Sequence, residues 1–399
     1  VQPATSATTS DLDIKLQLEP FPGFKIQVSG KYYNAKSKSL IYSYEDLQET
    51  MTGSYNITTI AIGTAFDRIS SAATNFRSDA FDRFLENRDK MQDRVTAQYQ
   101  DAQYPNSGFI KGTPMAGRFF RDYNQKVDRN SADVLIPAFL SAYLGRSPNK
   151  IGLNPFLGMK NILPNWSVTF DGLGRLPWFR DHFRSITLTH AYTCKYSIGS
   201  YTSYSTWVGA HAGNQRIGFV RDVETELPLP SSAYDIASVQ LQENFSPLIG
   251  LNIAMKNSIS VKAEYRQQRN LALNITSVQL MEGNTKEMVI GVGYTIKNFD
   301  VIIKAKNDKQ NKVRNDLKLT LDFSYKNVKS LLRKIEEDIT QASSGNKVFS
   351  VKFSADYTLS SKVNLQLFYE HQGTTPLLST SFPVKSDNVG INVKLMLTR

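Results

Sequence analysis

The feature that most constrains this chain is a period-two alternation of apolar and polar residues, the spacing at which alternate side chains share one face of a β-strand. Leu317, Leu319, Leu321, Phe323 and Tyr325 interleave with Lys318, Thr320, Asp322 and Ser324. Ile259, Val261, Ala263 and Tyr265 interleave with Ser260, Lys262, Glu264 and Arg266. Phe349, Val351, Phe353, Ala355 and Tyr357 interleave with Ser350, Lys352, Ser354 and Asp356. The rhythm recurs at 12–18, 24–32, 249–255, 271–275, 288–296, 363–369 and 389–397, which predicts about fourteen strands in all.

A soluble sandwich also alternates, so three further features decide the reading. The strands built on these runs are expected to be about 9 to 12 residues long, which suits a tilted crossing of a hydrocarbon layer; soluble strands average nearer about 5–6 residues. Tyr265, Tyr294, Tyr325, Tyr357 and Tyr369 fall on the apolar phase at strand ends, where an interfacial aromatic girdle sits. Successive runs also follow one another as a meander, without the long crossovers of Greek-key sandwiches. The predicted fold is all-β: an antiparallel transmembrane β-barrel wall with a helical insertion. Its lipid-facing phase carries Leu251, Ile253, Val261, Leu317, Leu319, Leu321, Val351, Phe353, Leu365, Leu367 and Val393. Its lumen-facing phase carries Lys262, Glu264, Lys318, Asp322, Lys352, Asp356, Gln366 and Lys394. Two edges, near 12–18 and 389–397, are expected to stay unpaired.

Composition agrees with this reading. None of the 399 residues lies in an apolar run of 18 or more, so no membrane helix is expected. A mean hydropathy of −0.34 suits a barrel, because only every second strand residue meets lipid. The net charge of +11 is dispersed among acids, apart from Lys304, Lys306, Lys309, Lys312, Arg314 and Lys318, which read as a solvated loop. Nucleic acid is therefore not an expected partner, and an anionic lipid surface is the better use of that charge. The Thr/Ser/Ala-rich opening at 1–10 reads as a cut or mature chain.

Organisation follows from where the alternation stops. Residues 1–66 and 165–399 read as barrel strands, and 67–164 as a helical insertion packing on the sheet or in the lumen. Phe81, Phe84, Leu85, Met91, Val95 and Tyr99 form one helical stripe. A second helix is predicted from an N-cap at Ser131 to a stop at Gly145, with a kink or later start at Pro137. Connections near 281–286, 305–314, 340–346 and 371–386 read as long, and those at 297–299, 326–328 and 360–361 as short. Short periplasmic turns and long external loops would place Arg399 on the periplasmic side.

Little in the chain suggests catalysis. A single cysteine, Cys194, excludes an internal disulfide or a multi-cysteine metal site and reads as a small apolar strand residue. His182, His190, His211 and His371 show no metal-ligand spacing. His190 shares a phase with Leu188 and Tyr192, and Glu370–His371 is an adjacent acid–histidine pair at a strand end. Gly291 and Gly293 lack the third glycine of a dinucleotide fingerprint and read as relief of crowding in a strand. No cofactor, metal or enzymatic activity is expected.

Several stretches resemble the carboxyl-terminal region of the SprA/Sov family, the outer-membrane translocon of the Bacteroidetes type IX secretion system. The longest are LPNWSVTFDGLGRLPWFRDHFRSITLTHAYTCKYSIGS at 163–200 and ENFSPLIGLNIAMKNSISVKAEYRQQRNLALNI at 243–275, followed by EMVIGVGY at 287–294. Shorter ones are IAIGTAF at 60–66, DVLIPAFLSAY at 133–143, LRKIEEDI at 332–339 and FSVKFSADYTL at 349–359. They occur in the family's order over nearly the whole chain. The resemblance implies an outer-membrane pore that exports folded proteins carrying a carboxyl-terminal sorting domain, supporting gliding motility or protease secretion. It implies a barrel of about 36 strands, of which this chain would supply part, and partners that include a PorV-type shuttle and a periplasmic plug protein. The ending Leu397-Thr398-Arg399 departs from the terminal aromatic of many outer-membrane proteins. The competing readings are an ordinary outer-membrane porin or transporter barrel, and a soluble β-sandwich adhesin.

Overall fold

Strands dominate, as the alternation requires. The computed structural model describes residues 4–43, 46–212, 215–304, 310–360, 362–378 and 381–395. In chain order the first strands are β1 (Ala4–Phe21), β2 (Phe24–Ser43) and β3 (Asp46–Thr58). Helices α1 (Asp79–Tyr99) and α2 (Ala132–Tyr143) follow. Then come β4 (Asn165–Phe170), α3 (Pro177–His182) and β5 (Phe183–Ser203). A short group, β6 (Val208–Ala212), β7 (Gln215–Arg221), β8 (Pro228–Ser231) and β9 (Tyr234–Asp235), leads to the final meander. That meander is β10 (Ser238–Met255), β11 (Ile259–Asn274), β12 (Gln279–Lys304), β13 (Gln310–Lys334), β14 (Ile339–Ser360), β15 (Val363–Pro376) and β16 (Val384–Leu395).

Thirteen strands join in one antiparallel sheet, in the order β1-β2-β3-β5-β10 and then consecutively to β16, with β4 and β9 also paired to β5. This is the all-β, antiparallel wall with a helical insertion expected from the sequence, and thirteen is close to the fourteen strands anticipated. The strand boundaries differ from expectation. The segments 281–286, 297–299, 326–328 and 340–346 are not connections but lie inside β12, β13 and β14, which run 26, 25 and 22 residues. Those segments are polar because the strands continue past the apolar stretch, and the backbone ladder does not stop where the hydrophobic phase does. The described connections between consecutive strands at 256–258, 275–278 and 335–338 are tight. The anticipated loop at 305–314 lies partly outside the described residues, and β13 begins at Gln310.

β3 and β4 are one wall position cut in two. β3 pairs with β2 from Ser43 to Tyr32 and β4 pairs with β2 from Ser29 to Phe24, both antiparallel, and both also pair with β5. The chain leaves the wall after Thr58 and returns at Asn165 in the same line. Side chains stitch the cut: the Lys31 amide donates to Thr58 Oγ1 at 3.0 Å and the Cys194 amide to Asn165 Oδ1 at 2.8 Å.

The intervening residues form a cap with its own core. Ser78 caps α1, its Oγ accepting from the Phe81 amide at 3.4 Å. Phe81, Phe84, Met91, Val95 and Tyr99 are buried, so the predicted stripe is the packed side. α2 is apolar around its circumference and buried from Val134 to Tyr143, as such a helix must be in water. It runs through Pro137 and ends before Gly145, whose φ of +64° a glycine adopts without strain. The three-stranded sheet of β6, β7 and β8 is separate from the wall and packs on this core, with the Phe219 ring 4.5 Å from Tyr104. Residues 165–399 are therefore not all wall, because 208–231 belong with the cap. Phe139 is fully buried between Phe84 and Tyr143. Phe139→Ala should cost about 3–5 kcal/mol of cap stability, read as earlier loss of α1 and α2 protection in hydrogen exchange.

Candidate functional site

The two faces of the wall differ in kind, and register shows it row by row. One row runs Val261, Val292, Leu321, Phe353, Tyr369 and Val389 across β11 to β16. The rows on either side contain Ile259, Tyr294, Leu319, Leu367 and Ile391, and Ala263, Ile290, Phe323 and Val351. Outermost are Leu317, Tyr357, Leu365 and Val393 at one margin and Tyr265, Met288, Tyr325 and Phe349 at the other. All eleven residues expected to meet lipid share this face, Leu251 and Ile253 joining through β10. The Ala263 row reaches β1 at Phe21, and exposed Leu12, Ile14, Leu16 and Leu18 extend the apolar phase of β1 into the rows beyond it. Many of its side chains are exposed: Leu321 is 48% and Ile391 68% accessible. From Leu317 to Tyr325 it spans about 27 Å along the strand.

The five tyrosines all lie on this face at different heights. Tyr265 and Tyr325 occupy one margin and Tyr357 the other, Tyr294 sits one row inside, and Tyr369 is in the central row. Tyr369 therefore departs from the expected girdle. Its hydroxyl instead donates to Asp387 Oδ1 at 2.8 Å, and His371 Nδ1 lies 2.8 Å from the same oxygen. His371 thus finds its acid across the β15–β16 ladder, not in adjacent Glu370, whose side chain belongs to the opposite face near Lys352.

The opposite face is mostly polar, with Val289 and Phe368 as apolar exceptions. Lys262, Glu264, Lys318, Asp322, Lys352, Asp356, Gln366 and Lys394 all point to it. Their charges alternate across strands, Lys318 opposite Asp356 and Asp322 opposite Lys352. Glu264 is bracketed by Lys262 at 3.0 Å and by Arg266. Gln366 Nε2 donates to Asp356 Oδ1 at 2.8 Å. Gly291 and Gly293 belong here and relieve crowding: a Cβ would come within 2.5 Å of Asp322 Oδ1 and 2.4 Å of Ser260 Oγ respectively. Toward β1 this face forms a concavity of about 500 Å³ lined by Asp13, Lys31, Asn56, Lys195, Gln242 and Asn270.

Above the band, the apolar face is covered by the cap. The insertion thus sits on the sheet, on the face opposite the polar one. Two buried ion pairs hold it. Arg269 lies 2.8 Å from Glu243 and donates to the Thr64 carbonyl at 2.6 Å, while Gln267 donates to the Ala65 carbonyl at 2.6 Å. Arg333, with no accessible surface, pairs with Glu282 at 2.7 Å and donates to the Phe76 carbonyl at 3.0 Å. Tyr192 bridges the two parts, donating to Glu243 at 2.7 Å and accepting from the Ala61 amide at 2.8 Å. Arg88 of α1 reaches Glu336 at the β13–β14 turn. Within the cap, burial raises the Asp133 carboxyl above its ordinary range, against the lowering effect of the Ser232 amide 2.7 Å away.

None of these arginines and glutamates was singled out by sequence, although the signal existed. Glu243, Arg269, Glu282 and Arg333 are charges on the apolar phase, flanked by Leu241, Leu271, Leu280 and Leu331 on that same phase. The histidines and the cysteine are packed or local. His190 Nδ1 meets the Leu248 carbonyl at 2.6 Å, His182 Nδ1 meets the Trp178 carbonyl at 3.0 Å, and Cys194 is buried and free. The side chains of His211 and Lys304, and the residues Lys306 and Lys309, lie outside what the structure describes. Among the described residues no three side chains group as metal ligands, and no helix is long and apolar enough to cross a membrane.

No family model matches the chain. No curated protein matches it. Among solved structures it is similar to OmpT (in-vitro folded), an outer membrane protein of Vibrio cholerae in its trimer form. The two are 10% identical, the alignment covers 98% of this chain and 99% of that one, and the TM-score is 0.23.

Proposed function

We propose that this chain is part of the wall of an outer-membrane pore, and that the pore is the protein-exporting translocon of the type IX secretion system. The observation that carries the membrane reading is the exposed apolar band that crosses β11 to β16, backed by a mostly polar and charged face. A tilt of 35–45° reduces its length along the strand to roughly 20 Å, against about 25 Å for the apolar belt of outer-membrane barrels. In water such a surface would aggregate. The finer reading rests on the resemblance to the SprA/Sov family at 163–200 and 243–294.

The open edges favour a large composite wall over an ordinary porin. Among the described residues β1 pairs only with β2, and β16 only with β15. Ladders this long are completed by further strands, since an exposed edge invites uncontrolled pairing. On this reading the tight connection at 256–258 and the end of β16 lie at the periplasmic margin, and the cap stands outside the cell. The polar face lines a wet lumen for folded cargo, with a PorV-type shuttle and a periplasmic plug as partners. The wall does no chemistry and binds no cofactor.

Single cysteines placed in a Cys194→Ala background of the full-length protein test this in cells. Thr320→Cys should react with a membrane-impermeant maleimide and Leu321→Cys should not; equal labelling would refute the membrane reading. A bulky maleimide on Lys262→Cys should then stop export of secreted proteins while the pore protein stays at its normal level. Undiminished export with full labelling would refute the translocon reading alone.

A further inference from the structure

An exposed aromatic helix outside the cap lies at the margin of the apolar band where β4 ends and β5 begins. The segment 171–183 leaves β4, turns, and enters α3 with Pro177 at its first turn. It stays on the apolar face. Gly172 passes so near the Phe170 ring that a Cβ there would come within 2.5 Å of it, and Phe170 packs with Phe21 and Phe24 on that face. Leu173, Phe179 and Phe183 are half-buried, but two apolar side chains do not turn inward. Trp178 is 62% and Leu176 51% accessible. Trp178 rests on Phe179, His182 and Phe183, with ring centroids 4.9, 5.2 and 6.0 Å away.

The charges around this patch are unusual for the wall. Arg175, Arg180 and Arg184 are exposed, and among the described residues none takes part in an ion pair, although many arginines of the chain do. A soluble surface gains nothing from an exposed tryptophan and leucine beside free guanidiniums. A membrane interface does: an indole prefers the boundary between headgroups and acyl chains, and a guanidinium pairs bidentately with phosphate.

We propose that α3 and its approach are a lipid-interface anchor. Trp178 and Leu176 insert at the edge of the acyl layer, and Arg175, Arg180 and Arg184 engage the phosphates of lipid headgroups. This rests on the membrane reading of the band and adds to it a fixed height for the wall in the bilayer. Phosphatidylglycerol, with its net charge, should be preferred over phosphatidylcholine.

The test uses the full chain reconstituted in bilayers with Trp166 and Trp207 changed to Phe, so that Trp178 alone fluoresces. Lipids brominated near the headgroup should quench Trp178 at least twofold more strongly than lipids brominated deep in the chain. Brominated phosphatidylglycerol should quench it more than brominated phosphatidylcholine, and R175Q/R180Q/R184Q should remove that difference. A companion protein with Trp178→Phe and Leu319→Trp reports the band itself and should respond to deep bromines. If the companion's indole in the band is quenched by lipid while Trp178 is quenched only by aqueous acrylamide, the anchor is wrong and the band stands. If neither responds to any lipid, the membrane reading fails and the anchor fails with it. Equal quenching by the two lipids in the protein that keeps its three arginines would overturn the arginine–phosphate contact.

Discussion

Leu321→Arg should all but abolish accumulation of the full-length protein in the outer membrane, while Thr320→Arg should leave it near normal. The two positions are neighbours in β13 and receive the same side chain. Leu321 is in the central row of the apolar band and is half exposed there. An arginine in that row is unfavourable by roughly 2–4 kcal/mol at the midplane of an outer-membrane barrel, and long-strand assembly has no alternative register that hides it. Thr320 is on the other face, opposite Gly293 on one side and Ser354 on the other. The neighbouring Lys318, Asp322 and Lys352 already make that surface a solvated, charged one. Membrane fractionation and quantitative blotting of the two variants decide the matter. Equal levels would mean that neither face meets hydrocarbon.

Much of the wall was legible because its determinants are local. The phase of Leu317 to Tyr325 against Lys318 to Ser324 assigns faces without knowledge of the neighbours, and strand pairing then aligns those phases across the sheet. The ends of strands were not legible by the same means. Above Met288 and Tyr325 the next row holds Gln267, Lys286, Asn327 and Lys347, which breaks the alternation and reads as turns. The backbone continues because the ladder satisfies its amides whatever the side chains are, and because the cap supplies a second apolar surface for Leu271, Leu273 and Leu280. The docking of the cap was hidden for a different reason. Ala61, Thr64 and Phe76 offer carbonyl groups, which carry no sequence signature, to Arg269 and Arg333, which lie 205 to 257 residues away in the chain. The pairing of Tyr369, His371 and Asp387 likewise depends on the β15–β16 register, which spacing alone does not reveal. Trp178 was invisible as an anchor because a short helix between two strands has no periodicity to read.

Arg333→Ala should release the cap from the wall without unravelling the wall. The guanidinium is wholly buried and meets Glu282 at 2.7 Å, the Phe76 carbonyl at 3.0 Å, Thr340 Oγ1 at 3.1 Å and Ser78 Oγ at 3.3 Å. Two of these, Phe76 and Ser78, belong to the segment that leads into α1, so the arginine ties the start of that helix to β13. Removing it strands the Glu282 carboxylate, which is 4% accessible and, among the described residues, keeps only Asn284 as a side-chain donor. Breaking a buried pair in this way costs about 3–5 kcal/mol. That exceeds what one cap helix recovers elsewhere, whereas β12 and β13 remain joined along their whole ladder. The loss should therefore appear as faster hydrogen exchange in 70–99 with unchanged exchange in β12 and β13. Arg333→Met combined with Glu282→Leu removes both charges and fills the space with apolar atoms. Such replacements are often neutral or better, so the double variant should regain most of the cap's protection. If the double variant is as loose as Arg333→Ala, the cap depends on the Phe76 and Ser78 hydrogen bonds and not on the fate of the buried charge. If neither variant changes exchange in 70–99, the arginine is not what holds the cap to the wall.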